Sequence, residues 1–208
     1  MKNIVVLVSG GGTNLQALID AEKSGIIKNG KITCVISSKP DAYALTRARE
    51  NNISTEVIRR ADFESFSDYD KALTELLISK NADLVVLAGF MTILGHEVIS
   101  HFENRIINIH PALIPSFCGE GFYGLRVHEA ALRKGVKLSG ATAHFVNEEC
   151  DGGPIIIQKA VEVNYGDTPE VLQKRIMEQA EWKILPKAVS LFCEDKIKVI
   201  NNIACLSE

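Results

Sequence analysis

The sequence contains no CxxC pair, no apolar run long enough to span a membrane and no strong excess of one charge. Its five cysteines are scattered and odd in number, which favours free thiols in a reducing cytoplasm over a disulfide framework or a zinc site. The formal net charge of −3 gives no reason to expect nucleic acid or a membrane as a partner. The first segment of strand character, residues 4–9, is too short for a signal-peptide core. We therefore expect a cytoplasmic protein.

With 208 residues, of which 46% are hydrophobic, the chain fits one globular domain, 1–208. Short apolar runs alternate with segments of helical period, which is typical of βαβ units. We predict strands at 4–9, 32–37, 56–58, 84–88, 106–109, 141–146 and 155–163. Helices are predicted at 14–23, 42–51, 68–79, 96–101, 125–134 and 169–193, and residues 196–208 receive no assignment. The predicted fold is α/β, an open, twisted, mostly parallel sheet with helices on both faces.

Two polar residues, Asn108 and His110, close an apolar strand just before Pro111. Alternate residues of a strand point to the same side, so both side chains should lie together at the strand's carboxyl end, where open α/β sheets build their sites. Asp151 follows about forty residues later on a Gly-Gly loop. An amide donor, an imidazole and a carboxylate are suited to acyl transfer. The alternative is that Asn108 and His110 cap a turn and that Asp151 only forms one.

A glycine loop, Ser9-Gly10-Gly11-Gly12-Thr13-Asn14, joins the first strand to the first helix. Glycines permit close backbone approach, and a helix start offers free N–H groups, so the loop is suited to bind phosphate. Position 15 is Leu15, which breaks the dinucleotide pattern GxGxxG, and the Gly-Lys-Ser/Thr ending of a P-loop is absent. The loop therefore favours a phosphate monoester, with a tight turn that binds nothing as the alternative.

Taken together, these motifs resemble the phosphoribosylglycinamide formyltransferase family, which are folate-dependent enzymes of purine synthesis. The resemblance runs from end to end of the chain. Its motifs are Ser9-Gly10-Gly11-Gly12-Thr13-Asn14, Leu87-Ala88-Gly89-Phe90-Met91, Asn108-Ile109-His110-Pro111, Gly140-Ala141-Thr142-Ala143-His144-Phe145 and Asp151-Gly152-Gly153-Pro154. The Asn-x-His-Pro and Asp-Gly-Gly-Pro elements are shared by formyl transfer and deformylation enzymes, and the glycine loop is the more specific part.

The resemblance implies transfer of a formyl group from 10-formyltetrahydrofolate, the co-substrate, to the amine of glycinamide ribonucleotide, with no metal expected. His110, as a protonated imidazole, would be the acid and oxyanion partner. Asn108 would add a neutral donor, whose removal typically costs about 3–4 kcal/mol. Asp151 would raise the pKa of His110 and relay the amine proton.

The resemblance also implies where the two substrates bind, with the nucleotide in the amino-terminal half and the folate in the carboxyl-terminal half. The nucleotide is expected at Gly12, Thr13, Asn14 and Glu181. The folate is expected at Met91, Thr92, Ile93, Leu94, Asn108, Asn147, Glu148, Glu149, Cys150 and Asp151. His144 is expected to orient the catalytic residues without touching substrate.

Three features depart from the resemblance. Thr92 and Phe66 stand where some relatives carry basic residues associated with the folate's glutamate tail, so recognition of that tail stays open. Residues 115–124 form a glycine-rich loop that is longer than in some relatives and is expected to be mobile. Trp182 follows Glu181 where histidine is common, and it either packs or binds.

Other functions compete with this interpretation. A formyltetrahydrofolate deformylase shares the catalytic motif but usually has a preceding regulatory domain, and methionyl-tRNA formyltransferase adds an RNA-binding domain. A folate or phosphosugar-binding module without catalysis is a third alternative. His110, His144 and Asp151 could hold a metal, but their spacing lacks a local ligand motif. Small molecules are the expected partners, and the chain is expected to be a monomer or a homodimer.

Overall fold

A seven-stranded sheet runs through the centre of the computed structural model, which describes residues 1–207. Its strands are β1 (Lys2–Val8), β2 (Gly30–Ser37), β3 (Ser54–Val57), β4 (Leu84–Leu87), β5 (Ile106–His110), β6 (Leu138–Phe145) and β7 (Ile155–Glu162). They lie in the order β3-β2-β1-β4-β5-β6-β7. The first five strands in that order form four parallel pairs, and β6 and β7 add two antiparallel pairs. The mostly parallel sheet is therefore confirmed.

Within residues 1–207, seven α-helices cover the sheet on both faces. They are α1 (Thr13–Lys23), α2 (Tyr43–Glu50), α3 (Phe66–Ser79), α4 (His96–His101), α5 (Leu125–Lys134), α6 (Pro169–Ile176) and α7 (Trp182–Cys193). Side chains alternate along β1, so Ile4, Val6 and Val8 enter the core beneath α1, α2, α6 and α7. Val5 and Leu7 enter the second core, beneath α3 and α4. Burial on both faces explains why these strands read as continuous apolar runs.

The helix predicted at 169–193 is interrupted by a π-helical turn, Met177–Glu181, in which the Trp182 N–H donates to the Met177 carbonyl. Such turns are frequent at functional sites, and this one carries Glu181. Residues 197–206, which the pattern left unassigned, form a hairpin of β8 (Ile197–Ile200) and β9 (Ile203–Leu206). Asn201 and Asn202 turn it with φ of 50° and 61°, a left-handed conformation that asparagine tolerates.

All five cysteines are free thiols, and Cys34 and Cys193 are buried. Within residues 1–207, none of the helices combines the length and apolarity that crossing a bilayer requires.

Gly12 provides a test of how the glycine loop is fixed to the fold. Its φ is 71°, and a Cβ there would lie 2.6 Å from the Cβ of Ala44 in α2. We expect Gly12→Ala to lower the free energy of unfolding by about 2 kcal/mol or more in urea titrations, because strain and overlap add. Gly10→Ala is the matched control, since no atom lies within 4 Å of its Cβ position. Equal stability of the two variants would contradict this account.

Candidate active site

The carboxyl end of β5 brings two polar side chains into the centre of the molecule. Asn108 is half-buried, and His110 is only 4% exposed. The antiparallel register of β5 and β6 pairs Asn108 with His144, which is also buried. Asn108 and His110 therefore lie together as predicted, and the pairing of β5 with β6 places His144 beside them.

Asp151 joins this cluster from the loop between β6 and β7, where its φ is 57°. Its Oδ1 lies 3.5 Å from Asn108 Nδ2 and 3.6 Å from His144 Nε2. Its Oδ2 lies 3.5 Å from His110 Nδ1 and accepts the Gly119 N–H at 2.9 Å. The three residues predicted from sequence as catalytic thus meet at one carboxylate.

Several donors keep the Asp151 carboxylate ionised. Burial raises its pKa, but His144, the charge of His110 and the Gly119 N–H together lower it below the usual range. The cluster therefore carries a fixed negative charge at neutral pH.

The pKa of His110 differs from the sequence expectation. Burial lowers it, and this effect exceeds the opposing influences of the Asp151 charge and the Phe117 carbonyl. Asp151 does act in the expected direction, but burial outweighs it, so the net pKa lies below the ordinary value and the neutral ring is favoured in the absence of substrate. The Nε2–H of neutral His110 donates to the Phe117 carbonyl at 2.8 Å, and Nδ1 faces Asp151.

His144 orients the catalytic amide. Its Nδ1 lies 2.8 Å from the Phe145 carbonyl oxygen, and its Nε2 lies 3.2 Å from Asn108 Nδ2 and 3.6 Å from Asp151 Oδ1. This arrangement fixes which end of the Asn108 amide faces Asp151.

Sequence reasoning missed three residues around the cluster. Phe117 and Gly119 contribute backbone groups, for which only the glycine-rich character of residues 115–124 gave a signal. His128 of α5 is fully buried, and neither ring nitrogen has a hydrogen-bond partner. Burial, followed by the charge of nearby His110, lowers its pKa to about 4. His128 is therefore a neutral wall of the site.

The glycine loop has one packed side and one open side. Gly12 packs against Ala44, so its lack of a side chain serves the fold. Gly10 and Gly11 have no atom within 4 Å of their Cβ positions. Arg47 Nε donates to the Gly11 carbonyl at 2.9 Å, which holds the loop from behind. On the open side, a ligand can approach the backbone of Gly10 and Gly11 closely.

Asn14 and Glu181, predicted together as nucleotide contacts, are hydrogen-bonded across 167 residues of sequence. Asn14 Nδ2 lies 2.6 Å from Glu181 Oε2, and Asn14 Oδ1 is buried without a partner. Burial raises the pKa of Glu181 to about 7, although the Asn14 amide partly opposes it. Thr13, beside them, is exposed at the start of α1. Glu181 is thus only partly ionised near pH 7, and the Asn14 amide oxygen lacks a hydrogen-bond donor.

The segment predicted to hold folate lies between β4 and α4. Met91 and Ile93 are 58% and 77% exposed, so their apolar side chains are open to a ligand. Leu94 is only 7% exposed and packs in the core, which limits any contact it makes to backbone atoms. Thr92 is half-buried, and Phe66 packs its ring 6.3 Å from that of Tyr69.

The other predicted wall of the folate pocket is the loop before Asp151. Glu148 Oε1 lies 2.6 Å from His96 Nδ1, and this contact joins the two walls. Asn147 Oδ1 accepts the Glu149 N–H at 3.1 Å, which shapes the loop internally. Cys150 Sγ, an exposed thiol, lies 4.0 Å from Asp151 Oδ2. The two walls therefore meet at the contact between His96 and Glu148.

A cavity of about 670 Å³ lies between α1 and α7, beside the glycine loop and outside the Asp151 cluster. Trp182 lines it together with Thr13, Gln16, Asp20, Arg47 and Lys183. A smaller cavity of about 380 Å³ adjoins residues 120–122 and α5. In residues 1–207, no set of three or more His, Cys, Asp and Glu side chains is arranged to hold a metal ion.

Comparison with known proteins gives concordant results. A sequence model described as formyl transferase matches residues 2–189. The chain is 42% identical to phosphoribosylglycinamide formyltransferase of Escherichia coli over 98% of this chain and 93% of that protein. It is 42% identical to the Haemophilus influenzae protein of the same name, over 99% and 94%. The crystal structure of glycinamide ribonucleotide transformylase 1 from Symbiobacterium toebii has a TM-score of 0.94 at 41% identity, covering 100% of this chain and 95% of that chain.

Glu181 predicts an unusual dependence of stability on pH. A folded-state pKa of about 7 against 4.5 for the unfolded chain means that stability is lost as pH rises through this window. The shift corresponds to about 3 kcal/mol. We expect Glu181→Gln to gain about that much unfolding free energy relative to wild type between pH 4.5 and pH 8, measured by urea titration. Glu178→Gln, on the same π turn but exposed, is the control. Parallel pH curves for wild type and Glu181→Gln would contradict the prediction.

Proposed function

Because the chain belongs to the formyl transferase family, we propose that it transfers the formyl group of 10-formyltetrahydrofolate to the amine of glycinamide ribonucleotide in purine synthesis. The observation that carries the proposal is the ionised Asp151 carboxylate within 3.6 Å of Asn108, His110 and His144. The names of the two bacterial relatives, each 42% identical, support the choice of substrates.

The proposed reaction is a direct displacement at the formyl carbon. The amine nitrogen attacks this carbon, and the carbonyl electron pair moves to the formyl oxygen. The amine then loses a proton, and collapse of the tetrahedral species breaks the bond to the folate nitrogen. That nitrogen takes up a proton, so the products are formylated amine and tetrahydrofolate.

Asp151 and His110 are the proposed proton-handling pair. Ionised Asp151 suits the removal of the amine proton, directly or by way of water. Neutral His110 holds a donor at Nε2, and Nδ1 can take up a proton while it faces the Asp151 charge. As positive charge develops on the amine, the carboxylate stabilises it electrostatically.

Asn108 and His110 Nε2 are the proposed donors to the developing oxyanion. In the structure the Asn108 amide is shared between His144 and Asp151, and His110 Nε2–H is bound to Phe117. Productive binding therefore requires these donors to exchange protein acceptors for the formyl oxygen. The bonds to the oxyanion are charge-assisted and therefore stronger than the bonds between neutral groups that they replace.

The two substrates are proposed to approach the cluster from different loops. The phosphate would lie on the open glycine loop at the start of α1, bound by backbone N–H groups near Gly12, Thr13 and Asn14. Glu181 would meet the ribose or glycinamide end. The folate ring would lie between Met91, Ile93 and the loop before Asp151. A cytoplasmic location, predicted from the unpaired thiols, stays a prediction, as does the oligomeric state.

The first test is substrate dependence. Purified protein is incubated with 10-formyltetrahydrofolate, with and without glycinamide ribonucleotide, and both tetrahydrofolate and formylated nucleotide are measured. We expect tetrahydrofolate to form rapidly only with the nucleotide, in equal amount to the formylated product. Equal turnover in its absence would show a hydrolase, and binding of both ligands without turnover would show a binding module.

A second test concerns the charge on Asp151. Asp151→Asn removes the charge at nearly constant size, and asparagine accepts the same positive φ. We expect kcat to fall at least about a hundredfold, as is common for loss of acid–base catalysis. Because Asp151 raises the pKa of His110, the limb of the kcat/KM profile that reports His110 should move to lower pH in the variant. Asp195→Asn, with the same φ of 57° at an exposed position, is the control. A folded variant with unchanged kcat and profile removes Asp151 from the mechanism.

A further inference from the structure

The exposed segment at residues 91–95 is held at its far end by a carboxylate from another helix. Asp70 of α3 is 3% exposed, and its Oδ1 accepts the Gly95 N–H at 2.9 Å. Its Oδ2 accepts the Glu97 N–H at 2.8 Å. Both bonds are charge-assisted, so they are stronger than bonds between neutral groups. One side chain thus fixes the point where the segment enters α4.

Gly95 shows how closely the carboxylate is fitted. Its φ of −95° and ψ of −179° are open to any residue, so backbone strain does not require glycine. A Cβ at this position would lie 2.3 Å from Asp70 Oδ2. The absence of a side chain at Gly95 is therefore matched to the presence of Asp70.

Ser9 holds the near end of the segment. Its Oγ is buried, accepts the Met91 N–H at 2.9 Å and lies 2.6 Å from Ser38 Oγ. Since Ser9 accepts from Met91, its own proton is free for Ser38. This hydroxyl ties the segment to the end of β1, where the glycine loop starts.

Between the two anchors the segment presents its side chains to solvent. Ile93 is 77% exposed, and Met91 is 58% exposed. Thr92 lies close enough to the buried Tyr69 hydroxyl to lower its pKa, although burial dominates and raises it to about 12. The backbone of this segment is fixed at both ends, so its apolar surface is preorganised for a flat ligand. Binding then costs little conformational entropy.

We propose that Asp70 and Ser9 are positioning residues that hold residues 91–95 in the conformation that binds the pterin end of folate. This inference rests on the proposed function, in which that segment is the folate wall. Neither side chain is placed in contact with the substrate. Their effect is on folate affinity, with little effect on the nucleotide.

The main experiment compares Asp70→Asn with Glu75→Gln, an exposed carboxylate on the same helix. The amide oxygen of the Asp70→Asn variant can still accept one of the two backbone N–H groups. The amide NH2, itself a donor, then faces the other N–H and cannot accept from it. We expect the KM for 10-formyltetrahydrofolate to rise about tenfold, as for loss of one buried charge-assisted hydrogen bond. The KM for glycinamide ribonucleotide should stay within about twofold, and Glu75→Gln should match wild type. Ser9→Ala should shift the folate KM in the same direction.

Gly95 supplies an independent check by way of a double-mutant cycle. Gly95→Ala alone should disturb the segment and raise the folate KM, because the new methyl overlaps the carboxylate. In the Asp70→Ser background the smaller side chain leaves room, so the same change should have much less effect. If the effects of the two substitutions on the folate KM are additive, Gly95 and Asp70 do not act through this contact.

Two further readouts separate this inference from the proposed function. Tetrahydrofolate affinity is measured by calorimetry, and hydrogen exchange of residues 91–97 is followed by mass spectrometry. If wild type does not formylate the nucleotide, the proposed function fails, but weaker tetrahydrofolate binding and faster exchange in Asp70→Asn still support the positioning role. Unchanged tetrahydrofolate affinity, or equal rises in both KM values, overturns it.

Discussion

A carboxylate removed from water must be compensated by its neighbours, and groups from three other parts of the chain surround Asp151. Asn108 comes from β5, His144 from β6 and the Gly119 N–H from the loop after β5, while Asp151 stands on its own loop at positive φ. Removing any one of these groups leaves the charge less compensated. The relative positions of β5, β6 and both loops are therefore tied to the same negative charge, which is also the charge that the proposed reaction uses.

Burial and charge compete at each titratable group of the site, and the outcome differs from one group to the next. At Asp151 the donors prevail, and its pKa falls. At His110 burial prevails over the neighbouring carboxylate, and its pKa falls as well, which favours the neutral ring. At Glu181 burial raises the pKa to about 7, because one amide is its only hydrogen-bonding partner. The site therefore keeps one fixed charge and two groups close to neutrality, a distribution suited to moving a proton without a large change in net charge.

Sequence patterns predict those features that depend on local periodicity. The alternation of Asn108 and His110 and the buried strands follow from spacing along a single element. The features that sequence did not predict depend on contacts between distant elements. The Phe117 carbonyl and the Gly119 N–H reach the cluster from the loop after β5, and Gly12 is constrained by Ala44 of another helix. The neutral state of His110 depends on how much of the fold surrounds it, a quantity that no local pattern contains.

The two proposed substrate loops share an anchor, which gives a physical reason for their relative placement. Ser9 directly follows β1 as the first residue of the glycine loop, and its hydroxyl oxygen accepts the backbone N–H of Met91 at the start of the segment after β4. Because β1 and β4 are adjacent and parallel, their carboxyl ends deliver both loops to the same edge of the sheet. β5 is the next strand along, and it delivers Asn108 and His110 to that edge. Sheet order alone thus arranges phosphate loop, folate segment and catalytic cluster side by side, and the side-chain tethers then fix their distances.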